Sequence, residues 1–147
     1  MSFRITRRAH ASWQGTVADG DGRIELGSRA FEGPFSLRAR TEEVERATNP
    51  EELIGAAEAG CFTMSLANIL GEAGHPPQDL RTTAKVHLEQ TQSGFTIRRI
   101  ELETVGQVEG VSDEQFAQLA EEAKRTCPVS RALAGPEITL NARLAGA

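Results

Sequence analysis

Between Asn49 and Gly74 the chain is punctuated as a single helix that is apolar on more than one face. Asn49 can accept hydrogen bonds from the first free backbone amides, Pro50 fits the first helical position, and Glu51 and Glu52 lie at the positive end of the helix dipole. Leu53, Ile54, Ala56, Ala57, Cys61, Phe62, Met64, Leu66, Ile69 and Leu70 then recur closely enough to cover more than one face, before Gly71 and Gly74 end the segment. Such a helix has to be covered on several sides, so it belongs at the centre of the molecule. Its small residues Gly55, Ala56, Ala59, Gly60 and Ala67 would let another helix approach closely.

The rest of the chain must supply the cover. Residues 9–17, 23–26 and 35–40 read as strands, with the turn Ala18-Asp19-Gly20-Asp21-Gly22 between the first two, and 41–48 form a charged connector. Two further strand-like runs, 82–89 and 95–104, flank the turn Thr91-Gln92-Ser93-Gly94. Alternation of Ala84, Val86 and Leu88, and of Phe95 and Ile97, makes them half-buried antiparallel strands. A second helix opens at Ser112 with Gln115 three residues on, placing Phe116, Leu119, Ala120 and Ala123 on one face. It runs into Thr126-Cys127-Pro128, where Pro128 starts a fresh helical segment, and Ile138, Leu140 and Leu144 suit a closing strand. Strands, helix, strands, helix, strand is an α+β order without βαβ alternation. At 147 residues the chain suffices for one core, so residues 1–147 are expected to form a single domain.

A net charge of −5 argues against a nucleic-acid partner, which needs a concentrated excess of Lys and Arg. The cluster Arg4, Arg7, Arg8 is short and reads as a solvated strand end. The N-terminus has no apolar stretch of signal-peptide length, and no run of 18 apolar residues occurs. A soluble, cytoplasmic protein without a membrane partner is expected. There is no internal repeat, P-loop, G-x-G-x-x-G or H-E-x-x-H.

Two cysteines in a reducing compartment are more apt to cycle than to form a permanent staple. Cys61 lies in mid-helix, where it reads equally as a small buried hydrophobe, because no local cation or helix start stabilises its thiolate. Cys127 precedes a proline at a helix start, where free amides would favour the thiolate; a plain cap residue is the other reading. Sixty-six positions separate the two, so only the fold can bring them together.

The stretch Thr48-Asn49-Pro50-Glu51-Glu52-Leu53-Ile54-Gly55-Ala56-Ala57, continuing Glu58-Ala59-Gly60-Cys61-Phe62-Thr63-Met64, resembles the signature of the OsmC/Ohr family of organic hydroperoxide reductases. Leu70-Gly71-Glu72-Ala73-Gly74 and Ala123-Lys124-Arg125-Thr126-Cys127-Pro128-Val129-Ser130 also match in order and spacing, and the wording is closer to the OsmC branch. The resemblance covers nearly the whole chain. It implies an OsmC-like α+β fold with antiparallel sheets wrapped around central helices in an intertwined homodimer, and active sites at the interface. It implies a thiol-dependent peroxidase without a bound cofactor or metal, which takes an organic hydroperoxide and is restored by an external dithiol reductant. Position by position, Cys61 matches the attacking cysteine, Cys127 the resolving one, and Glu51 the acidic residue ten positions before the first. The arginine expected on an early strand falls best on Arg38, within Phe35-Ser36-Leu37-Arg38; the long connector after it keeps Arg40 as a candidate. On this reading Arg38 holds Cys61 as thiolate, Glu51 fixes the guanidinium, and Leu53, Phe62 and Met64 either shape an alkyl pocket or are ordinary core. Ten residues of straight helix place Glu51 about 15 Å along the axis from Cys61, so the Glu51 that serves a given Cys61 is expected from the partner subunit.

Two other classes remain. A non-catalytic, stress-related protein would use both cysteines as core or as a structural bridge. A metal site would recruit Cys61, Cys127 and some of His10, His75 and His87, although no pair has zinc-ligand spacing. Trp13 and Arg98-Arg99 carry no distinctive functional reading.

Overall fold

A computed structural model describes residues 2–146. The chain divides into two compact units, Met1–Leu53 and Ile54–Ala147.

The first unit is a three-stranded antiparallel sheet in the order β1 (Ala9–Gln14), β2 (Asp21–Leu26), β3 (Glu32–Phe35). The strand expected over residues 35–40 stops at Phe35, and a short helix, α1 (Leu37–Thr41), follows it. Ser36 is the reason. Its hydroxyl accepts the Ala39 amide at 3.0 Å, capping a Leu-Arg-Ala-Arg run of good helix formers that contains no β-branched residue. Helix α2 (Pro50–Glu72) begins where its punctuation places it, with the Glu52 amide donating to Asn49 Oδ1 at 2.8 Å. The other end of the same side chain is also engaged. Asn49 Nδ2 donates to Ala39 O at 3.0 Å, which ties α1 to the start of α2.

The second unit holds the rest of α2, then β4 (Asp79–Thr91), β5 (Gly94–Gln107), α3 (Asp113–Thr126), α4 (Pro128–Ala132) and β6 (Glu137–Leu144). β4 and β5 pair antiparallel, as the sequence predicts, but β6 joins β5 in parallel. The connection through α3 and α4 is long enough to carry the chain back along the sheet, which parallel neighbours require. A register shift between His87 and Leu88 leaves Arg98 unpaired in the ladder. Before this bulge the apolar positions of β5 are odd, Phe95 and Ile97; after it they are even, with Ile100, Leu102 and Thr104 buried. The Arg98-Arg99 pair thus marks the change of face.

Phe62, Leu66 and Leu70 of α2, spaced by four, meet Leu102 of β5 and Phe116, Ala120 and Ala123 of α3 in one core cluster. Gly106 is required there, since a Cβ would lie 2.7 Å from the Phe116 ring. Gly55 packs on Ala84 and Val86 of β4, so this small residue admits the sheet and not a second helix. By length and composition alone α2 could cross a membrane, yet Phe62, Leu66 and Leu70 are committed to the protein's own core. Gly74, at φ +86°, closes α2, with the His75 amide returning to Leu70 O at 2.8 Å.

Candidate active site

Pro128 creates the position of Cys127. A residue before proline is pushed out of the helical region, and Cys127, at φ −59° and ψ 126°, separates α3 from α4. Its carbonyl still accepts the Arg131 amide at 3.0 Å, so its side chain leaves at the junction and is fully buried. Half-buried Cys61 faces it from the middle of α2, and the two sulfurs, 66 positions apart in sequence, are 2.7 Å from one another. Both are free thiols.

The helix-start amide expected to act on Cys127 acts on Cys61 instead. Cys127 makes no side-chain capping bond, whereas the Val129 amide donates to the Cys61 sulfur and pulls its pKa down. That pull is outweighed. Burial, then the thiol contact with Cys127, then the negative charges of Cys127 and Glu58 push the Cys61 thiol above its ordinary value of 9.0. A cation must therefore be brought to this sulfur before it reacts readily at neutral pH.

Of the two candidate arginines, the one held in a bidentate geometry on Glu51 is Arg40. Arg40 Nε and one terminal nitrogen donate to the two Glu51 oxygens at 2.8 and 2.9 Å, a bidentate pair in which the Glu51 side chain is only 9% exposed. Arg38 pairs instead with Glu42 at 3.0 Å, with its side chain 75% exposed. The anticipated Arg38–Glu51 pairing is thus corrected to Arg40–Glu51. On a strand, residues 38 and 40 would share a face; on α1 two steps of about 100° send them to opposite faces, with buried Ala39 between them. Asn49 and Glu51 then hold α1 so that Arg40 faces the start of α2.

Arg40 also borders a cavity of about 410 Å³ lined by Trp13, Val17, Phe35, Leu37 and Pro50. The Trp13 and Phe35 rings, 5.4 Å apart, form part of its wall. Trp13 carried no functional reading from sequence, because nothing local links it to Arg40. Of the three residues considered for an alkyl pocket, Phe62 is fully buried core, Met64 is 75% exposed, and none of the three lines this cavity. Sequence reading also passed over Glu58, the one charged residue between Glu52 and Glu72, which is fully buried and hydrogen-bonded to Ser130. A lone charge inside an apolar helix was the available signal. His87 lies against Glu101 at 2.6 Å, and among the described residues no three metal-capable side chains come together.

The family model for OsmC-like proteins matches residues 42–141. The chain is 40% identical to peroxiredoxin OsmC of Escherichia coli (strain K12), over 95% of this chain and 97% of that one. It is 30% identical to the organic hydroperoxide resistance protein OhrA of Bacillus subtilis (strain 168), over 90% and 89% of the two chains. An organic hydroperoxide resistance protein from Elizabethkingia anophelis, solved with thiocyanate bound, superposes with a TM-score of 0.77 at 25% identity, covering 98% of this chain and 99% of that one.

Proposed function

Since the chain belongs to the family of OsmC-like proteins, we propose that it is a thiol-dependent peroxidase that reduces organic hydroperoxides to alcohols through Cys61 and Cys127. The observation that carries this reading is the contact of two free thiols at 2.7 Å, close to the span of a disulfide and made by residues 66 positions apart. Cysteines used only as core packing would not need this pairing.

The Cys61 thiolate attacks the terminal peroxide oxygen; the S–O bond forms, the O–O bond breaks, and the alkoxide takes a proton to leave as alcohol. Cys61 becomes a sulfenic acid. The Cys127 sulfur then attacks the Cys61 sulfur, the S–O bond breaks, and the departing hydroxide leaves with the thiol proton as water. An external dithiol returns two electrons and two protons by exchange. No bound cofactor enters any step.

Arg40 is the guanidinium assigned to this chemistry, with Glu51 as its positioning partner. It would stabilise the Cys61 thiolate and orient the peroxide, offsetting the burial and negative charge that raise the thiol's pKa. The cavity beside Arg40 suits the organic group of the substrate, being walled by aromatic and aliphatic side chains. α2 is unbroken from Pro50 to Glu72, and on a straight helix ten residues amount to about 15 Å; the Arg40–Glu51 pair of one protomer is therefore assigned to the Cys61 of its partner in a homodimer. The outward stripe Ala56, Gly60 and Met64 of α2 is apolar and small enough for a second copy to pack upon. A cytoplasmic protein acting as one OsmC-like domain over residues 1–147 completes the proposal.

Reduced protein treated with cumene hydroperoxide should lose two thiols per chain. Cys61→Ser should abolish the loss, and Cys127→Ser should permit one oxidation without turnover. Activity surviving Cys61→Ser, or inert thiols in the unmodified protein, would overturn the assignment, the latter in favour of structural cysteines.

A further inference from the structure

Helices α2 and α4 are joined by two side-chain bridges. One is the Cys61–Cys127 sulfur contact; the other is the hydrogen bond from Ser130 Oγ to Glu58 Oε1. Glu58 precedes Cys61 by three positions on α2, and Ser130 follows Cys127 by three on α4. Residues three apart share a helix face, so the two bridges lie side by side like rungs, about one turn apart. The influence of Glu58 on the Cys61 thiol accords with this closeness.

The second rung is an unusual thing to bury. Glu58 is fully buried, Ser130 is nearly so, and Glu58 Oε2 has no hydrogen-bond partner among the described residues. An apolar residue would suit the packing of α2 better, since a buried carboxyl group lacking a full set of partners destabilises the fold. What the carboxyl does supply is a directional hold on α4. That helix has only five residues, too few to stand on its own, and Cys127 immediately precedes it as its N-cap.

We propose that the Glu58–Ser130 hydrogen bond is a strut that holds Cys127 in register with Cys61, making Glu58 and Ser130 positioning residues for closure of the disulfide. The proposal rests on the peroxidase reading. Once Cys61 is a sulfenic acid it has two fates. It condenses with Cys127, forming the S–S bond and releasing water, or it takes an oxygen from a second hydroperoxide, forming a sulfinic acid and releasing a second alcohol. The balance depends on how well Cys127 is placed, so the strut protects Cys61 from overoxidation.

Reduced full-length protein, unmodified and as Ser130→Ala, Glu58→Leu and Glu58→Gln, is given increasing cumene hydroperoxide, and the sulfinate-to-disulfide ratio is read by intact mass. Ser130→Ala and Glu58→Leu should raise the ratio about tenfold, the effect of losing one ordinary buried hydrogen bond. Glu58→Gln keeps an oxygen for Ser130 and should stay within about twofold of the unmodified protein, a rescue that general destabilisation would not give. A Ser130→Ala ratio equal to that of the unmodified protein overturns the proposal, as does a Gln variant that overoxidises as fully as Leu. Should Glu58→Leu fail to fold, Ser130→Ala decides alone. Unmodified protein that forms neither product refutes the peroxidase reading instead.

Discussion

Replacing Arg40 and Arg38 separately by Met separates two arginines that the sequence leaves nearly equivalent. Arg40 gives two charge-assisted hydrogen bonds to a carboxylate whose side chain is 9% exposed. Stranding a fully buried charge costs about 3–5 kcal/mol. Here the Arg40 side chain is 33% exposed, and Glu51 lies in the first turn of α2, where free amides still favour an anion, so about half that figure, ~2 kcal/mol, is expected. For a chain of this size that lowers Tm by about 4–8 °C. Arg38 is joined to Glu42 four residues on, with side chains 75% and 60% exposed, a pairing worth only about 0.3–0.5 kcal/mol and a Tm change near 1 °C. The activity contrast should be larger. If Arg40 supplies the cation that Cys61 lacks in its own surroundings, Arg40→Met should slow the first oxidation of Cys61 by about a hundredfold or more, the order expected for an oriented charge at a reacting centre, while Arg38→Met leaves it within about twofold. Thermal melts and stopped-flow thiol loss on the same samples give both readings. A slow Arg38→Met protein beside a fast Arg40→Met protein would refute the reasoning, whatever the melts show.

Two further outcomes follow from the same geometry. Mixing and re-associating Cys61→Ser chains with Arg40→Met chains should restore about a quarter to a half of the unmodified rate if each site draws its arginine from the partner protomer; no recovery in a confirmed mixed dimer would place the arginine and cysteine of one site on one chain. In reduced Arg40→Met protein, which lacks the assigned cation, burial and the contact with Cys127 keep the Cys61 thiol above its ordinary 9.0, so the folded state holds this proton more tightly than the unfolded chain. The associated stability is fully present below pH 9.0 and is lost as pH rises through the folded value. Denaturant titrations of Arg40→Met from pH 7 to 10.5 should show a drop that a further Cys61→Ser change removes, and parallel curves for the two variants would contradict the shift.

The features the sequence determined are those set by neighbours along the chain. Asn49 and Pro50 fix the start of α2, Ser112 caps α3 through the Gln115 amide, Gly74 ends α2, and Pro128 breaks the helix at Cys127, each through backbone rules that act over a few residues. Ser36 and its helix-forming successors were legible in the same way, although alternation with β3 masked them as a strand. No local rule reaches the parallel placement of β6, because strand direction depends on the path of the whole crossover through α3 and α4. Nor does one reach the chemistry of the thiols. Cys61 has no thiolate donor within its own helix and gains the Val129 amide only when α4 folds against it, whereas Cys127 makes no side-chain capping bond. Whether Arg38 or Arg40 meets Glu51 was settled by the 100° step of a helix too short to show periodicity. Hydrogen bonds and ion pairs act over about 3 Å, so residues 11 or 66 positions apart acquire partners only through tertiary structure, whereas caps and proline breaks are complete within one turn of chain.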